Sequence, residues 1–169
     1  MTVPTDLPPR EPRLIARFVV DGEPLSKERA RVIHRDGKAR SYTPDRTTQA
    51  EGRVGWAFRQ AAGPHRPDPD SAYSVLVTFH PGTRQRRDID NMLKLVLDAL
   101  SGIAWADDDQ VVHVAADKAA PSPGQARTEV TVYQVGPYQR PTRGGTCEVC
   151  QGPTSRETVR RCRRCRNAR

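Results

Sequence analysis

The chain has 169 residues, 36% hydrophobic and only 5% aromatic, which suits one compact domain with a modest core plus a small appendage. It contains no run of about 18 apolar residues, and its start, Met1-Thr2-Val3-Pro4-Thr5-Asp6, lacks the basic and apolar regions of a signal peptide. No membrane span or signal peptide is expected, and a cytoplasmic protein is the expectation. The net charge of +8 is concentrated at one end: residues 139–169 hold nine arginines against Glu148 and Glu157. A cationic block of this kind points to a nucleic-acid partner.

In chain order, residues 1–13 are rich in proline and charge and read as disordered. Leu14 to Val20 reads as a strand, ending in an Asp21-Gly22 turn. Residues 23–46 are polar and basic, a long functional loop or a hairpin around Asp36-Gly37. Thr47 to Ala62 reads as a helix after Pro44, with Val54, Trp56, Ala57, Phe58 and Ala61 as its apolar positions, and Gly63-Pro64 stops it. Tyr73, Val75, Val77 and Phe79 alternate with Ser74, Leu76 and Thr78, the pattern of a half-buried strand. After a basic turn through Arg84, Arg86 and Arg87 comes a helix, Asp90 to Leu100, with Met92, Leu93, Val96, Leu97 and Leu100 as its apolar stripe. Asp107-Asp108-Asp109 forms an acidic turn. Gln110 to Asp117 and Arg127 to Val135 read as strands. The order predicts an α+β domain over residues 14–135, with a single mixed or antiparallel sheet packed with two helices. Residues 136–146 read as a linker and 147–169 as a separate basic tail.

The chemistry-bearing residues cluster around the second helix. Asp88 and Asp90 are two residues apart and share a face in extended backbone. Lys94 lies one turn beyond Asp90 on the same side. A short link, Ile103-Ala104-Trp105, must run back along the helix for the acidic turn at 107–109 to join them. Carboxylates brought together repel one another, and a hard divalent cation such as Mg²⁺ relieves this. Taken singly, each has a simpler use: Asp88 or Asp90 as a helix cap, Lys94 as a surface partner of Asp90, and the three aspartates as a solvated turn. The arginines just upstream favour the metal reading, because a basic turn beside an acidic cluster suits a phosphodiester. Lys27, Arg29 and Arg31 line a DNA path or simply a solvated loop. Trp56 and Trp105 read as core residues, and the four histidines show no ligand pairing.

The stretch Arg86-Arg87-Asp88-Ile89-Asp90-Asn91-Met92-Leu93-Lys94, followed by Asp107-Asp108-Asp109-Gln110-Val111-Val112, resembles the RusA family of Holliday junction resolvases, crossover-junction endodeoxyribonucleases of bacteria and phages. Gly22-Glu23-Pro24-Leu25-Ser26-Lys27 and Tyr42-Thr43-Pro44 resemble its N-terminal half, and the likeness extends over residues 14–135. The resemblance implies a RusA-like fold, a homodimer, Mg²⁺ dependence and paired symmetric nicks across a four-way junction. It assigns Asp88, Asp90 and Asp108 as Mg²⁺ ligands and Lys94 as an active-site lysine. By their charge, Lys27, Arg29, Arg31, Arg86 and Arg87 are the expected DNA contacts. Gln110-Val111-Val112 sets the register that selects Asp108, while Asp109 stands where the family usually has a small residue. A non-catalytic binder of branched DNA, or a metal nuclease acting on other branched DNA, are the rival readings.

The tail lies outside this resemblance. Cys147-x2-Cys150 and Cys162-x2-Cys165, with eleven residues between the pairs, have the spacing of a structural zinc site with four cysteine ligands. With so little apolar content, a knuckle of this size depends on Zn²⁺ for its folding energy. Its arginines suit a grip on nucleic acid.

Overall fold

The computed structural model describes residues 11–28, 31–35, 38–42 and 44–138. The cysteine-bearing tail, Arg29 and the side chain of Arg31 lie outside them. Nine elements follow in order. β1 spans Arg13–Asp21, β2 Arg31–Arg35, β3 Lys38–Tyr42, α1 Asp45–Ala62 and β4 Ser71–His80. α2 then spans Ile89–Leu100, a 3-10 turn Asp108–Gln110, β5 Val111–Lys118 and β6 Arg127–Pro137. β2 and β3 pair antiparallel as a sheet of their own, which makes the basic segment a hairpin.

The other four strands form one mixed sheet in the order β1-β6-β4-β5. β6 pairs antiparallel with both β1 and β4, while β4 and β5 run parallel. That parallel pair needs a crossover, and α2 supplies it. Both helices cover one face of the sheet. The expected inner face of β4 holds: Tyr73, Val75, Val77 and Phe79 are all buried with Phe58, Met92, Val96 and Leu100 of the helices, while on the other face Leu76 is exposed but Ser74 is buried as well, between the two neighbouring strands. Ala16 and Phe18 from β1 and Val130 and Val132 from β6 complete the core.

α1 and α2 pack directly on each other. Gly55 permits this approach, because a Cβ there would stand 3.2 Å from Ile103 Cδ1 and 3.5 Å from the Ala99 carbonyl oxygen. The α1 stripe is Thr47, Ala50, Val54, Gly55 and Phe58. Trp56 falls outside it and is 66% exposed, and Ala61 is exposed too, so neither is a core position. Two residues along a helix turn the side chain by about 200°, which takes position 56 away from the face that buries 54 and 58. In α2 the stripe is Met92, Leu95, Val96 and Leu100, with Leu93 and Leu97 only partly buried. β6 continues to Pro137, and the Tyr138 N–H donates to the Asp70 carbonyl, so regular pairing extends into the stretch read as linker. Among the described residues no helix is long and apolar enough to cross a membrane.

Candidate active site

The segment between β4 and α2 carries the acidic motif, and Glu23 organises it. The Glu23 carboxylate accepts from the Gly82 N–H at 2.9 Å, from Thr83 Oγ1 at 3.0 Å and from the Arg87 guanidinium. Partial burial works to raise its pKa, but the Arg87 hydrogen bond, the Gly82 and Thr83 donors and the Arg87 charge together hold it below the ordinary value. Arg87 also donates to Gln85 Oε1 at 2.6 Å, and its own carbonyl accepts from Lys118 Nζ at 2.9 Å. The chain thus enters Asp88 from a turn fixed on three sides.

Asp88 stands at the N-cap of α2 with extended backbone, φ −82° and ψ 134°, yet its side chain makes no cap hydrogen bond. Its only described partner is Asn91 Nδ2, at 3.5 Å. The capping role is therefore not what holds this carboxylate. Asp90, two residues on, and Lys94, one turn beyond it, belong to α2 and are both exposed. They line a cavity of about 210 Å³ together with Asp98 and Asp108, over a floor of Leu93, Leu97 and Val111. The chain has run back along α2, as the helix length required. The reversal is built by hydrogen bonds from the Ala104 N–H to the Leu100 carbonyl at 2.8 Å and from the Gly102 N–H to the Trp105 carbonyl at 2.8 Å.

The three consecutive aspartates have different surroundings. Asp107 caps the 3-10 turn, accepting from the Asp109 N–H at 3.2 Å. Asp109 accepts from the Tyr138 hydroxyl. Asp108 alone of the three lines the cavity with Asp90 and Lys94, and the fully buried indole of Trp105 donates to its Oδ1 at 3.0 Å. Gln110 anchors the whole turn. It is 2% exposed, and its amide makes four bonds: Nε2 donates to the carbonyls of Asp68 at 2.7 Å and Ser71 at 2.8 Å, and Oε1 accepts from the N–H groups of Ala106 at 2.9 Å and Asp107 at 3.0 Å. A buried amide with every capacity filled is a rigid anchor.

The expected residues are brought together in part. Asp90, Lys94 and Asp108 share one cavity; Asp88 does not line it. Among the described residues no three carboxylate, His or Cys side chains gather as a ready-made metal cage. Asp98, which the sequence did not single out, lines the cavity but is paired with Lys27. Lys27 also binds Glu51 Oε1 at 2.8 Å, and its backbone N–H donates to the Asn91 carbonyl at 3.0 Å. Burial works to lower the lysine pKa, but Asp98 and Glu51 hold it above the ordinary value. Lys27 therefore ties α1 to α2, and Arg87 ties the turn before Asp88 to Glu23. A phosphate contact at either would have to displace these pairs. Arg86 is exposed, with no ion pair among the described residues. Trp105 is core, as expected, and also touches a candidate acid.

Paired acids beside an uncommitted lysine, with arginines just upstream on an α+β scaffold, form the kind of site that handles a phosphodiester. A family model, Endodeoxyribonuclease RusA, matches residues 21–133, and the chain belongs to that family. It is thereby an endodeoxyribonuclease. No curated protein matches the chain.

Proposed function

We propose that the protein is a Mg²⁺-dependent nuclease that resolves four-way DNA junctions by paired, symmetric nicks during recombination or repair in a bacterial or phage-infected cell. The observation that carries this reading is the convergence of Asp90, Asp108 and Lys94 on one cavity in a RusA-family chain. Two opposed scissile phosphates call for two active sites related by a twofold axis, which supports a homodimer.

The donor set fits Mg²⁺. This ion takes one or two carboxylates at a time and completes its shell with water and substrate phosphate. Asp90 and Asp108 would supply two carboxylates, and Asp88, exposed and making no cap hydrogen bond, would be the third. When bound, the ion supplies Lewis-acid polarisation of the phosphate and a more acidic water. The protein's own part is positional and electrostatic. Trp105 and Gln110 hold the Asp108 carboxylate toward the cavity, and Lys94 offsets charge that develops on the phosphate oxygens. In the reaction a water oxygen bonds to phosphorus as the bond from phosphorus to the 3′ oxygen breaks. Arg86, exposed and two residues before Asp88, would hold an adjoining phosphate.

The tail adds a second metal to the reading. Cys147, Cys150, Cys162 and Cys165 would hold one structural Zn²⁺, and the nine tail arginines would grip the DNA backbone. The test of the whole reading is cleavage of end-labelled four-way junction, flap and linear duplex with and without Mg²⁺. Paired nicks in the junction that require the ion are expected. Equal cutting of linear duplex would refute junction specificity, and cutting in EDTA would refute the metal.

A further inference from the structure

Helix α1 carries a solvent-facing stripe that neither the core nor the catalytic cavity uses. Arg46, Gln49, Arg53, Trp56 and Gln60 recur at helical spacing along one face, and all five are exposed. Of the two tryptophans, Trp105 is fully buried while Trp56 is 66% exposed. An isolated apolar side chain on a surface is ordinary; an indole set among cations and amides, at the edge of a groove, is not. That groove holds about 890 Å³ and runs between α1 and the end of β1. Gly52 lies on its α1 wall. A glycine inside a helix costs about 1 kcal/mol against alanine, yet a Cβ there would meet nothing within 4 Å, so no packing among the described residues demands it. Its absence of side chain keeps that wall open to an incoming ligand.

The charges indicate what that ligand is. Two acids face the groove, Asp21 and Glu23, and Glu23 is neutralised by Arg87. Arg46 and Arg53 remain against Asp21 alone. The groove is also continuous with the approach to Asp88, because Arg46 and Leu25 line a second basin, of about 190 Å³, together with Arg86, Arg87 and one acid, Glu28. Arg86, Arg46, Gln49 and Arg53, against Glu28 and Asp21, thus lead from the residues just before Asp88 to the exposed indole, with Arg46 and Trp56 about 15 Å apart along the helix. We propose that this face binds an unpaired DNA strand, with a base stacked on Trp56 and its phosphates held by Arg46 and Arg53. An aromatic platform beside cations is the usual combination for single strands, and it needs a base whose face is not covered by a duplex neighbour. The proposal rests on the reading of the chain as a nuclease of branched DNA, but not on which acids are catalytic.

The test uses full-length protein in EDTA, so that binding is measured without cutting. The probes are a splayed duplex with a single-stranded oligo-dT arm and a fully paired duplex of equal length. Trp56→Ala should bind the splayed probe about tenfold more weakly, the scale of one base stack, and the paired duplex within about twofold of wild type. Trp56→Phe should restore most of the affinity. Emission from the wild-type protein should be quenched by the splayed probe, and emission from Trp56→Phe, which then reports only buried Trp105, should not. Equal affinity of wild type and Trp56→Ala for the splayed probe would overturn the proposal, as would equal losses on both probes. A change in sedimentation mass of Trp56→Ala without a binding defect would assign the face to a contact between copies of the chain, and would overturn it too. Failure of the catalytic assignment would appear separately, as normal cleavage by variants of the cavity acids.

Discussion

Replacing Trp105 by Phe isolates one hydrogen bond at the proposed metal cavity. The indole N–H donates to Asp108 Oδ1 at 3.0 Å from a side chain with no solvent exposure. Phenylalanine keeps one ring in the core and removes the donor. Asp108 is exposed, so water replaces that donor, and the lost bond itself costs about 1 kcal/mol. The missing second ring leaves a partial cavity worth about 1–2 kcal/mol, less than the 3–5 typical of complete truncation to alanine. Together these lower the melting temperature by roughly 6–12 °C for a domain of this size. The functional effect is separate. A carboxylate that loses its orienting donor holds a metal about 10–100-fold less well. The assay is junction cleavage against Mg²⁺ concentration at 25 °C, with Phe58→Leu as a core control that does not line the cavity. Trp105→Phe should need at least tenfold more Mg²⁺ for half-maximal rate and recover near wild-type rate at saturation. Phe58→Leu should melt earlier with no shift in Mg²⁺ dependence. If both variants show the same Mg²⁺ curve as wild type, Trp105 is a core residue only and the positioning argument fails.

Three further outcomes are expected. Lys94→Ala should lose about two orders of magnitude in cleavage rate with unchanged melting, the scale of one transition-state charge contact; normal cleavage would reduce it to a helix surface residue. Glu23 has a folded pKa below its ordinary 4.5, so its stabilising contribution is complete above that pH and is lost as pH falls through the lowered value. Melting temperature against pH should show this acid-side loss in wild type and a flatter profile in Glu23→Gln, and parallel profiles would count against the Glu23 anchor. Deleting residues 139–169 should remove one zinc per chain, leave cleavage at low salt, and lower the slope of log K against log[salt] on one junction. An unchanged slope would mean that the tail arginines do not touch DNA.

The elements that carry a strong local period were legible in the sequence. Tyr73, Val75, Val77 and Phe79 declared β4, and the apolar stripe of α2 declared the helix that presents Asp90 and Lys94. What was hidden depends on contacts between distant segments. The ion pairs of Lys27 could not be read from the sequence because its partners, Glu51 and Asp98, lie 24 and 71 positions away. Arg87 was hidden in the same way by Glu23. Trp56 was placed in the core because it is apolar, although the 50-54-58 stripe already turns it outward. The choice among Asp107, Asp108 and Asp109 had only the motif register behind it. In the structure the three differ in surroundings: the Trp105 indole donates to Asp108, which lines the cavity, while Asp109 accepts from the Tyr138 hydroxyl.

The account stands or falls on the two cavity acids. The direct measurement is single-turnover cleavage of a labelled four-way junction in Mg²⁺ by Asp90→Asn and Asp108→Asn, with Asp107→Asn and Asp109→Asn alongside and binding of each measured in EDTA. An amide is nearly isosteric with the carboxylate but a poorer ligand for a hard cation. Asp90→Asn and Asp108→Asn should bind the junction like wild type and fail to cut it, while the other two retain cleavage. Cutting by Asp90→Asn within about tenfold of wild type would contradict the account, since losing a ligand should cost more than disturbing its support; so would a larger loss at Asp109 than at Asp108.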